Sequence, residues 1–127
     1  MNKQITEDYV SYETAVLLKE KGFDIPCRQA YFNGSLVDYT LYGFCDGELL
    51  DCPSQSLALK WLREVHNQHI VVKAQNNVAL LRTEYYVEIQ NLNEPTTKAF
   101  CVNGCTVERT YEEAVEAALK YTLENLI

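Results

Sequence analysis

The chain has 127 residues, 47% hydrophobic and 23% charged, with a formal net charge of −7 at pH 7. That is one ordinary globular domain, residues 1–127, large enough to bury a core without staples. The longest apolar runs, such as Ala15 to Leu18 and Val78 to Leu81, fall far short of the about 20 residues of a membrane span, and the acidic balance disfavours nucleic acid and anionic membranes.

Ser11 is placed to cap a first helix, with Val10 and Ala15 as its hydrophobic staple. Gly22 closes that helix in the left-handed position, and Phe23 can fold back onto Leu18. Residues 27–33 and 35–42 read as a hairpin about an Asn33-Gly34 turn, and Gly43 to Cys52 as an irregular connection. Pro53 suits the first position of a second helix, where Leu57, Ala58, Trp61, Leu62 and Val65 make one apolar stripe. A strand at 69–74 leads to a polar turn at Asn76-Asn77, while Val78 to Arg82 suits strand or loop. Tyr85 to Gln90 and Lys98 to Val102 read as strands, with Tyr85, Val87 and Ile89 on one face. Thr110 and Glu113 form a capping box ahead of a last helix. The order α-β-β-α-β-β-β-α with short connections specifies an α+β fold, mainly antiparallel, with helices packed on one face.

The residues that could carry chemistry are few. His66 and His69 form His-x-x-His where the second helix breaks, so they are expected apart, as a helix-end histidine and a strand-start histidine. The five cysteines show no Cys-x-x-Cys spacing, so no metal site is expected. No apolar h-region follows Met1-Asn2-Lys3-Gln4, so no secretory signal is expected; the cysteines are then five thiols in the cytoplasm. A thiol dyad of Cys27 or Cys45 with a distant histidine is conceivable only if the fold joins them. No nucleotide-binding or hydrolase signature occurs; no catalytic residue and no cofactor are assigned, and the chain reads as a non-enzyme. Residues 53–126 follow the element order of a double-stranded-RNA-binding domain, but Tyr111-Glu112-Glu113 carries the wrong charge for phosphate. Trp61 is expected in the core, and Tyr31, Tyr85 and Tyr86 half-buried on strands.

From Gln29 to Leu59 there is no Lys or Arg, while Asp38, Asp46, Glu48 and Asp51 are all negative. Tyr39, Tyr42 and Phe44 lie among them. The set Tyr39, Tyr42, Phe44, Asp46, Glu48 and Asp51 therefore reads as a partner surface for a protein with a basic face. An acidic mimic that blocks a nucleic-acid-binding partner, and a small enzyme with an unrecognised site, are the alternatives. The oligomeric state is left open.

A resemblance is carried by Ser11-Tyr12-Glu13-Thr14-Ala15 with Leu18-Lys19-Glu20-Lys21-Gly22-Phe23-Asp24, then Cys27, and Pro53-Ser54-Gln55 with Lys60-Trp61-Leu62-Arg63-Glu64. His69-Ile70 and Tyr111-Glu112-Glu113-Ala114 before Ala118-Leu119 complete the pattern. In these the chain resembles a family of short uncharacterised proteins from Bacteroides-type gut bacteria and their phages. The resemblance implies an intracellular protein of phage or mobile-element origin and carries no functional residue with it.

Overall fold

Local signals decide where each element starts and stops. Ser11 caps α1 (Tyr12–Glu20), its hydroxyl accepting the Thr14 N–H, and Val10 and Ala15 are both buried as a staple requires. The helix closes in a Schellman turn. Gly22 takes φ +95°, and the Phe23 N–H donates to Leu18 O at 2.9 Å, bringing both side chains into the core. This computed structural model describes residues 5–38, 49–94, 96, 98–101 and 106–127.

Asn33 and Gly34, at φ +50° and +82°, turn β1 (Gln29–Phe32) into β2 (Ser35–Asp38). The rest of the strand expected over 35–42 lies outside the described residues. A short strand, β3 (Leu50–Asp51), emerges from the stretch expected to be irregular and pairs with β1, Ala30 opposite Asp51. Two residues are too few to show a period of two, so pattern alone could not reveal it.

α2 (Gln55–Val65) begins two residues later than expected, so Pro53 is not its first residue. Ser54, not Pro53, marks the boundary, its hydroxyl accepting the Leu57 N–H at 3.2 Å. A side-chain acceptor satisfies an orphan donor of the first turn, whereas proline only fixes φ, so Pro53 stays outside. The strands β4 (Gln68–Asn77) and β5 (Arg82–Asn91) run longer than expected. Asn76 and Asn77 are still paired, with Thr83 and Arg82. The turn is the apolar Val78–Leu81, built by Asn77, whose side-chain oxygen accepts the Leu80 N–H at 3.1 Å. β6 (Phe100–Cys101) pairs with β5, and Thr110 caps α3 (Tyr111–Asn125) by accepting the Glu113 N–H at 3.1 Å.

The described elements thus run α-β-β-β-α-β-β-β-α, an α+β fold with two antiparallel three-stranded sheets, β2-β1-β3 and β4-β5-β6. The main core joins the three helices: Leu18, Trp61, Leu62, Leu119 and Leu123 are buried together, and Phe23 stands edge-on to Trp61 at 5.4 Å. Ile70 and Val72 of β4 link it to a smaller cluster of Val87, Ile89, Ala114 and Ala118 under β5. No helix among the described residues is long and apolar enough to cross a membrane.

The expectation of five thiols is corrected. Cys27 and Cys52 are free, but Cys101 is disulfide-bonded, its partner lying outside the described residues.

Candidate functional site

Among the described residues, α1 crossing the small sheet leaves a concave surface. Tyr12, Val16 and Glu20 recur every fourth residue, which sets them on one ridge of α1, away from the buried Ala15 and Leu18. Tyr31 comes up from β1 beneath it, its hydroxyl donating to Val10 O at 2.9 Å. That bond fixes the ring, and Tyr12 stands edge-on to it at 5.4 Å and 88°. Between helix and sheet opens a cleft of about 620 Å³ lined by Tyr12, Val16, Lys19, Tyr31, Asn33 and Leu50, within the range of ligand pockets. A smaller recess of about 170 Å³, with Phe23, Leu49 and Asp51 in its wall, adjoins it at Lys19 and Leu50. On the other side of the ridge runs a groove of about 350 Å³ with Glu13, Glu20, Lys120 and Glu124 on its rim. Lys120 is bonded to Glu13 at 2.8 Å, which raises the ammonium's pKa and lowers that of the carboxyl.

Behind the cleft sits a pair of thiols. Cys52, fully buried, donates to Val10 O at 3.3 Å beside the Tyr31 hydroxyl, and Cys27 donates to Ile25 O at 3.3 Å. Burial pushes the Cys27 thiol up to about 11, helped by the negative Asp51, and pushes Cys52 up to about 12. Tyr31 is driven the same way, to about 12, first by burial and then by Cys52. A nucleophilic cysteine needs the opposite, a thiolate stabilised by positive charge. The charged or polar neighbours that act on these thiols are Asp51, Tyr31, Glu116 and each other, and no imidazole is among them. The suggested dyad of Cys27 with a histidine is not assembled; Cys45 lies outside the described residues.

The two histidines part as expected. His66 is the C-cap of α2, its ring edge-on to Trp61 at 4.7 Å, and His69 is in β4. Among the described residues no group of three His, Cys, Asp or Glu could hold a metal. Trp61 is core, and Tyr31, Tyr85 and Tyr86 are half-buried on their strands.

Of the predicted partner surface, Tyr39, Tyr42, Phe44, Asp46 and Glu48 lie outside the described residues. Asp51 is half-buried on β3, its carboxylate receiving the Cys27 backbone N–H. Burial raises its pKa, against that bond and the nearby Lys19. Tyr12 and Glu20 were missed, although the period of α1 already put them opposite its buried stripe.

Comparison with family models, with curated proteins and with solved structures finds no match to this chain.

Proposed function

We propose that the chain is a non-enzymatic protein-interaction module that presents the Tyr12–Val16–Glu20 ridge of α1 to a partner with a basic face. The observation that carries this reading is Tyr12 itself. The residue is 50% exposed yet its ring is held edge-on by Tyr31, and it lines both the cleft and the acidic-rimmed groove. An exposed aromatic ring with its orientation already set binds at little entropic cost. Glu20 and Glu124 beside it supply the charge that draws in a Lys or Arg of the partner. The protonated thiols behind the cleft suit a structural wall better than a reacting group. The resemblance to short phage-associated proteins agrees with an accessory protein that acts on a host factor by binding it.

Affinity capture from host lysate, repeated with Tyr12→Ser and Glu20→Gln, tests the reading. Specific captured proteins should be lost or reduced at least tenfold with each variant, with the thermal midpoint within a degree or two of the parent. Capture that both variants leave intact would place the partner surface elsewhere.

A further inference from the structure

The long hairpin carries a second surface, independent of the α1 cleft and in the other sheet. β4 is the outermost strand of β4-β5-β6, and its register with β5 runs unbroken from Gln68 opposite Asn91 to Asn77 opposite Arg82. The Leu92 N–H donates to Asn67 O at 2.8 Å, which fixes the alternation along the ladder. Odd-numbered residues of β4 bond to β5. The backbone N–H and C=O groups of Gln68, Ile70, Val72, Ala74 and Asn76 therefore point to the open edge. Tyr85, opposite Ala74, confirms the parity by turning its own N–H and C=O away from β4 to Glu108, at 2.9 and 2.7 Å. Among the described residues nothing pairs with the open edge of β4.

Monomeric proteins guard such an edge with proline, a bulge or a projecting lysine. β4 has no proline and no bulge, and its Lys73 is bonded at 3.1 Å to Glu88 of β5. The strand is also free of acid. From Gln68 to Leu81 the only ionisable side chains are His69 and Lys73, in a chain of net charge −7.

We propose that this edge pairs with β4 of a second copy, antiparallel about a two-fold axis at Val72, to join the two large sheets into one. In that register the edge-facing residues meet one another. Ile70 lies opposite the second copy's Ala74, Gln68 opposite its Asn76, and Val72 opposite Val72. Lys73 meets Val71, so no like charges are opposed. A separate feature of the monomer supports this occupant. Val78 and Leu81 at the hairpin tip are 81% and 89% exposed, and Val65 at the end of α2 is 57% exposed. Leu81 also holds φ +52°, which an L residue adopts at a cost. The same two-fold register sets the tip of each copy beside the α2–β4 junction of the other, so apolar side chains that the monomer leaves in water cover one another.

Sedimentation velocity of the full chain over about 1–200 µM should show a concentration-dependent dimer. Amide exchange gives an independent readout. The N–H groups of Ile70, Val72 and Ala74 have no partner among the described residues, so they should exchange quickly in dilute solution and at least tenfold more slowly when concentrated. Ala74→Pro removes one edge donor where proline is tolerated, and should leave a folded monomer. Val78→Thr with Leu81→Asn, which relieves the left-handed leucine, should weaken the dimer at least tenfold without lowering the thermal midpoint. A monomer throughout the concentration range would overturn the proposal. So would a dimer indifferent to both variants, or edge amides that exchange rapidly at every concentration.

Discussion

Glu116 reads in the sequence as one more charge of an acidic helix, but the structure makes it a pin between helices. One carboxylate oxygen accepts the Ser11 backbone N–H at 2.9 Å and the hydroxyl of the fully buried Thr14; the other receives the Gln55 amide at 3.4 Å. It therefore sits on the N-terminus of α1 and ties it to α3 and to the start of α2. Hydrogen bonds to a charged group contribute about 1.5–3 kcal/mol each when water is excluded, and a carboxylate at a helix N-terminus adds about 0.3–1 kcal/mol. Glu116 is only half-buried, so water replaces part of what is lost, and the Gln55 contact is long. Glu116→Ala should cost about 2–3 kcal/mol, a fall in thermal midpoint of roughly 8–12 °C for a chain of this size. Glu116→Gln keeps an acceptor oxygen without the charge and should cost about 1 kcal/mol. A double-mutant cycle with Thr14→Val, followed by urea denaturation, should return a coupling of about 1 kcal/mol or more. If Glu116→Ala lies within about 0.5 kcal/mol of the parent, the carboxylate is a solvated surface charge and the pin does not exist.

Three further expectations concern the core, alkaline pH and the cysteines. Leu119→Ala empties a fully buried site between the helices and should cost about 2–5 kcal/mol in chemical denaturation; an unchanged midpoint would place that face of α3 outside the core. Cys27, Cys52 and Tyr31 stay protonated in the folded state to about 11, 12 and 12, against ordinary values of 9.0, 9.0 and 10.0. The unfolded chain then releases its protons first. The stability these groups contribute is complete below about pH 9 and is lost as pH rises towards 11–12, so a thermal midpoint that holds flat across that window would contradict the burial of the thiols. Titration of the denatured, unreduced protein should count three thiols, the five cysteines less one bridged pair, and a count of five would mean that Cys101 is not bridged.

What the sequence disclosed follows from the range over which each signal acts. Ser11, Gly22, Asn33-Gly34 and Thr110 act within a few residues of themselves, and each is found where its chemistry put it. The apolar stripe through Trp61 and Leu62 likewise reports one helix face, buried at Ala58, Trp61 and Leu62, although Val65 at its end is exposed. Signals that depend on a distant partner were silent or misread. β3 exists because Tyr31 and Ala30 of β1 offer it an edge, and nothing in Leu50-Asp51 alone announces a strand. Asn76-Asn77 looked like a turn because asparagine usually is one. Here Asn77 does start the turn, but from inside the ladder, and it leaves an apolar tip that the pattern assigns to no element.

The same distinction governs the candidate surfaces. Net charge can be counted along a chain, but whether a carboxylate steers a partner, as Glu20 is proposed to do, or pins a helix, as Glu116 does, depends on what faces it across the fold. Edge status is equally invisible to pattern. Nothing in the sequence from Gln68 to Asn77 marks it as an edge strand, and only the sheet order shows that one side of it has no neighbour among the described residues. Two surfaces result from one economical fold. The small sheet and α1 hold an aromatic ring at the mouth of an acidic-rimmed groove, and the large sheet ends in an unguarded strand free of acid. The first is the surface proposed for a basic partner and the second the one proposed for a second copy, since the charge that would repel a second molecule is kept off β4 and its hairpin tip.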